Sequence, residues 1–61
     1  GNAPPPDGAK YPPPGDIPAG NDDDVVARQL REAAMREADP EVREKLWNEY
    51  RKYKGIEVPA S

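Results

Sequence analysis

The chain has no cysteine, no histidine and no phenylalanine, and only one tryptophan and one methionine among its 61 residues. Without cysteine there is no disulfide staple, thiol nucleophile or thiolate metal site, and cysteine usage says nothing about the redox compartment. Without histidine the commonest metal ligand and neutral-pH base are missing. Serine occurs only at Ser61, and no glycine-rich phosphate loop is present. Carboxylates stand beside Arg and Lys on helix-forming stretches, with no pattern that would hold one in a cleft at a shifted pKa. Catalysis is therefore not expected, and neither is a cofactor. No apolar run nears the ~20 residues that cross a bilayer, so direct membrane insertion is not expected, and no signal-peptide pattern is seen.

What the chain has in excess is proline, and its position divides the sequence. Residues 1–20 hold seven of the nine prolines and four of the five glycines, with Tyr11 and Ile17 as the sizeable apolar groups. Such a segment has little to bury against its ordering entropy. The sequence predicts a Pro/Gly-rich arm over 1–20, disordered or in polyproline II, with Pro4-Pro5-Pro6 and Pro12-Pro13-Pro14 as extended strips. Asp7-Gly8 and Gly15-Asp16 punctuate it as turns. The arm reads either as a tether or as a strip docked on the helical part of the chain. No PxxP pair marks it as a ligand for an aromatic groove.

Residues 21–55 are rich in Ala, Arg, Lys and Glu and read as all-α, a two-helix antiparallel hairpin over about 22–38 and 40–54. Residues 56–61 form a short tail. Asn21 or Asp22 is expected to cap the first helix, with Asp23 and Asp24 in its first turn, where free N–H groups favour negative charge. The three aspartates lack the Gly and distal Glu of a calcium loop. Asp39-Pro40-Glu41 reads as cap, N1 proline and N2 acid. Lys52 and Lys54 before Gly55 suit a helix C-terminus.

Two apolar stripes recur at helical spacing: Val26, Ala27, Leu30, Ala33 and Ala34, then Val42, Leu46, Tyr50 and Tyr53. On one unbroken helix Val42 would lie about 160° from Val26, so neither stripe could cover the other; a break at Asp39-Pro40 turns them inward. About nine sizeable apolar side chains make a thin core for a hairpin of this length, so further burial is needed from a partner, from self-association or from the arm. Trp47 lies about 60° outside the second stripe, between Arg43 and Arg51 at i−4 and i+4. It caps the hairpin core, receives the proline strip, or belongs to a docking surface.

Charge argues against nucleic acid. The net charge is −3 overall, with −1 over residues 1–21, −3 over 22–40 and +1 over 41–61. The basic run Arg51-Lys52-Tyr53-Lys54 sits where a helix dipole accounts for it.

Tyr11-Pro12-Pro13-Pro14-Gly15-Asp16-Ile17-Pro18, followed by an acidic cap and an amphipathic helix, resembles the pancreatic polypeptide family. That likeness implies a proline strip folded back on a helix and no hormone activity, because the chain ends Ile56-Glu57-Val58-Pro59-Ala60-Ser61. Residues 16–54, with Asp39-Pro40-Glu41-Val42-Arg43 opening the second helix, are similar to the C-terminal module of small Pro/Gly-rich bacterial envelope proteins. That similarity implies a helical module tethered in the periplasm or at the outer membrane, and assigns no activity. The function expected is a non-enzymatic protein-interaction module whose contact residues are Arg43, Leu46, Trp47, Tyr50, Arg51 and Tyr53. The alternative is a self-assembly element that dimerises through its helix stripes.

Overall fold

The structure, a computed structural model, describes residues 11–59. The expected strip at Pro4–Pro6, the turn at Asp7-Gly8 and the last two residues of the tail lie outside them. Two helices form the hairpin, α1 at Val25–Arg36 and α2 at Pro40–Lys54, preceded by a 3₁₀ turn at Gly20–Asp22. There is no strand among the described residues.

The second helix has the expected bounds. The Asp39 side chain accepts from the backbone N–H of Glu41 at 2.9 Å and of Val42 at 3.5 Å, and Pro40 occupies N1, where a missing N–H costs nothing. At the other end Gly55 takes φ +79°, a left-handed conformation that glycine adopts without a Cβ penalty. Its N–H reaches the Lys52 carbonyl and the Ile56 N–H the Arg51 carbonyl at 2.7 Å, closing a Schellman motif that satisfies two end carbonyls. The connection is short. The Glu37 side chain accepts from the Asp39 N–H, and Arg43 donates to the Glu37 carbonyl at 2.8 Å.

The first helix is shorter than expected, starting at Val25 and ending at Arg36. Its cap is Asp24, whose carboxylate accepts from the Ala27 N–H at 2.9 Å. Asn21 and Asp22 belong to the 3₁₀ turn instead, and Asp23 leaves the helix axis and turns into the protein. A carboxylate drawn to cationic partners on both helices outcompetes one more turn of α1.

The stripes are also rotated from their expected facing. The core consists of Ile17, Ala27, Ala34, Trp47 and Tyr50, with Leu30, Met35, Leu46 and Ile56 packed against it. On α2 the buried face centres on Trp47, and Val42 and Tyr53, expected inside, are 40% and 48% exposed. On α1, Val26 is 46% exposed. What rotates both helices is the segment at residues 11–18, which lies along one side of the hairpin. The Tyr11 N–H donates to the Met35 carbonyl at 3.0 Å, and the Tyr11 ring lies 4.4 Å from the Arg43 guanidinium. A turn closed by the Ile17 N–H on the Pro14 carbonyl sends Ile17 into the core.

That side chain joins the segment to Trp47 and the two buried alanines, so truncation at Ile17 leaves a cavity that a thin core cannot collapse. Ile17→Ala should lower the unfolding free energy by about 2–4 kcal/mol in urea titration. Deletion of residues 1–18 should reduce helical ellipticity at 222 nm; unchanged ellipticity would show the segment to be only a tether.

Candidate functional site

Two polar clusters fix the segment and the helices to one another. In the first, the Asp23 carboxylate is enclosed. Arg31 Nε donates to Asp23 Oδ2 at 2.9 Å, the Tyr50 hydroxyl to Oδ1 at 2.8 Å, and Lys54 Nζ lies 3.1 Å from Oδ1. Arg31 Nη2 also donates to the Tyr50 oxygen at 2.9 Å and to the Pro18 carbonyl, and its guanidinium stands 5.2 Å from the centre of the Tyr50 ring. The backbone has to come close for this. A Cβ on Gly20 would meet Arg31 Nε at 2.9 Å and Asp23 Oδ2 at 3.0 Å, so a larger residue there would have to displace the side chains of this ion pair.

In the second cluster Arg51, 2% exposed, grips Asp16 with both arms of its fork: Nε to Oδ2 at 2.9 Å and Nη2 to Oδ1 at 3.0 Å. Its Nη1 donates to Glu44 Oε2 at 2.9 Å and to Asn48 Oδ1 at 2.6 Å. A buried guanidinium is tolerated only when its donors are used, and here Nε, Nη1 and Nη2 all are. Trp47, in T-shaped contact with Tyr50 at 5.5 Å, is 1% exposed, and its indole N–H has no acceptor among the described residues.

These contacts set the acid chemistry. Burial acts to raise the Asp23 pKa, but the hydrogen bonds from Arg31, Tyr50 and Lys54 outweigh it and hold the carboxyl down at about 2, from 3.8. Asp16 is lowered by its hydrogen bonds from Arg51, and Asp24 by the Ala27 N–H and the Tyr53 hydroxyl. Burial pushes the Tyr50 hydroxyl up, and its bond to Asp23 adds to this. Among the described residues no three metal-ligating side chains converge, and no helix is long and apolar enough to cross a membrane.

The six residues expected to contact a partner separate into two groups. Trp47, Tyr50 and Arg51 are interior, and no partner reaches them while the segment is in place. Arg43 is half-buried under Tyr11 and bonded to the interhelical turn. Leu46 is half-buried and Tyr53 exposed, its hydroxyl donating to Asp24. The accessible apolar surface lies elsewhere. Stepping 100° per residue from Ala27, Arg31 and Met35 fall on one side of α1, and Leu30, Val26 and Ala33 on the other. From Trp47, Glu44, Arg51 and Asn48 fall on one side of α2, and Leu46, Tyr53 and Val42 on the other. In an antiparallel pair these sides coincide. The segment takes the Arg31–Arg51 side, leaving Val26, Leu30, Ala33, Val42, Leu46 and Tyr53 on one open face.

The roles of Asp16, Asp23, Arg31 and Lys54 were not singled out from the sequence, where Asp23 reads as one more helix-cap acid. The one signal was the shortage of apolar core. Against family models, curated proteins and solved structures alike, the chain finds no match.

Because the folded-state pKa of Asp23 lies below its unfolded value, its contribution to stability is complete above about pH 4 and is lost as the pH falls towards 2. Asp16 and Asp24 shift in the same direction. The Asp23 shift corresponds to about 2 kcal/mol. Urea titrations at pH 5 and pH 2.5 should therefore show a loss of this order in wild type. Asp23→Asn should be less stable already at pH 5 and show a shallower dependence below it.

Proposed function

We propose that the protein is a non-enzymatic protein-interaction module, a small helical hairpin braced by its own proline-rich segment. The observation that carries this reading is the open face of Val26, Leu30, Ala33, Val42, Leu46 and Tyr53, where valines and a tyrosine at 40–48% exposure stand side by side on two helices. A chain with so little apolar surface to bury gains nothing for its own fold by leaving these groups in water; contact with another protein gives them a role. Of the contact residues expected from sequence, Leu46 and Tyr53 lie on this face. Trp47, Tyr50 and Arg51 support it from beneath by fixing α2 against the segment. The similarity to Pro/Gly-rich envelope proteins adds a setting, a helical module held at the envelope by its proline-rich stretch.

A photo-crosslinking amino acid placed at Val42 or Tyr53, in the cell that makes the protein, should give a discrete adduct. The same probe at Glu32 or Lys52, on the outer sides of the helices, should give none, and Ala33→Lys should suppress the adduct from Val42. Equal labelling from all four positions, or none from any, refutes the reading.

A further inference from the structure

The stretch from Tyr11 to Pro18 is held as a bound peptide would be. Of its eight residues only Ile17 is buried, and its contacts with the helices fall on four of them. The Tyr11 ring lies 4.4 Å from the Arg43 guanidinium, while its N–H donates to the Met35 carbonyl. Asp16 receives Nε and Nη2 of Arg51, Ile17 enters the core that holds Trp47, and the Pro18 carbonyl accepts from Arg31. The pattern is an aromatic residue, a proline strip, then a carboxylate, an aliphatic side chain and a proline.

The groove beneath does not depend on this stretch for its charge balance. With the segment away, Arg51 keeps Glu44 at 2.9 Å and Asn48 at 2.6 Å, and Arg31 keeps Asp23 and the Tyr50 oxygen, each at 2.9 Å. Arg43 keeps the Glu37 carbonyl. Asp16, its side chain already 43% exposed, returns to water. No guanidinium is left without a counter-charge or an acceptor, which is the event that makes loss of a buried partner costly. What opens is Nε and Nη2 of Arg51, two parallel donors that a carboxylate fits.

We propose that residues 11–18 are a latch that opens while the helices stay paired. The groove beneath then binds the same pattern supplied by another chain, a proline-rich peptide with a carboxylate for Arg51 and an aliphatic side chain for the core at Trp47. The site lies on the opposite side of the helix pair from the open face, so it goes beyond the contact surface proposed above. Prolines suit such a ligand because their fixed φ leaves less freedom to lose on docking. The tether sets the threshold. A segment joined to its groove through a few residues competes at an effective concentration in the millimolar range. A free peptide of equal intrinsic affinity therefore enters only near that concentration, and a weakened latch lets it in sooner.

The experiment uses the full chain. In hydrogen exchange, the protection factor of the Ile17 N–H should be at least about tenfold below that of the Leu46 N–H in α2. Equal protection would mean that the segment leaves only on global unfolding, and would overturn the latch. A peptide of residues 11–18, blocked at both ends, is then titrated to about 5 mM into wild type and Asp16→Asn, with the indole N–H of Trp47 as the NMR reporter. Asp16→Asn should show a saturable shift with half-saturation at least about fivefold below wild type, because the peptide brings the carboxylate that the segment has lost. The same peptide with Asn in place of its Asp should lose that advantage. If Asp16→Asn loses helix, the peptide should restore ellipticity at 222 nm with the same dependence on its carboxylate. No saturable shift or restoration in Asp16→Asn, equal half-saturation in the two chains, or an Asn peptide that binds as well as the Asp peptide would refute the groove as a peptide site.

Discussion

The fold turns on one carboxylate taken out of water. Asp23 stands between the ends of two antiparallel helices, and its desolvation is offset only because Arg31, Tyr50 and Lys54 all reach it. Each of those partners comes from a helix, so the two helices must stand at the register that brings them together. Arg31, once held by Asp23, has Nη2 left to bind the Pro18 carbonyl, and that bond fastens the incoming segment. Removing the carboxylate alone would leave the Arg31 guanidinium without its counter-charge, a larger loss than the pair's net worth, while Lys54 keeps Asp22 at 3.2 Å. The network is thus less a source of stability than a condition on geometry.

Arg51 extends the same logic two residues earlier in the segment, at Asp16. A proline strip has few donors and little apolar surface, so it cannot hold itself to a helix pair by burial alone. Asp16, presented by the turn that ends the strip, supplies the missing contact. Arg51 answers it with a bidentate grip that fixes direction as well as distance. Between the two clamps Ile17 reaches the core beside Trp47. The hairpin therefore turns its tryptophan towards the segment, and the stripes that could have faced each other squarely are rolled part-way out.

Much of this was legible in the residues. Asp39-Pro40-Glu41 and Gly55 define α2 because capping and left-handed glycine are local chemistry, decided within a few residues. The opposed stripes called for a break, and the Gly15-Asp16 turn was visible as a turn. The interior of the molecule was not, because Asp23, Arg31 and Asp16 owe their positions to partners 8 to 35 residues away. In a single sequence an aspartate beside a helix start looks like a cap whether it caps or is buried. The same long-range pairing explains why the helix faces were read one side too far. Apolar spacing alone cannot register that Trp47 would pack in one core with Ile17, thirty residues earlier in the chain.

The clamps and the open face are two sides of one constraint. A core with two leucines, two isoleucines and one tryptophan cannot enclose both sides of a helix pair. The chain covers one side with its own segment, using ion pairs where apolar groups run short, and this commits Trp47, Ile17 and the buried alanines to that side. What remains on the other is the small and medium apolar residues of both stripes, Val26, Ala33, Val42 and the two half-buried leucines, with Tyr53 at the rim. The register that Asp23 imposes keeps them on one side of the helix pair, since a shift of one residue along α2 would turn Leu46 and Tyr53 about 100° away from it. The carboxylate that organises the interior therefore also sets the pattern of the surface, and any partner of this face reads the register of the buried network beneath it.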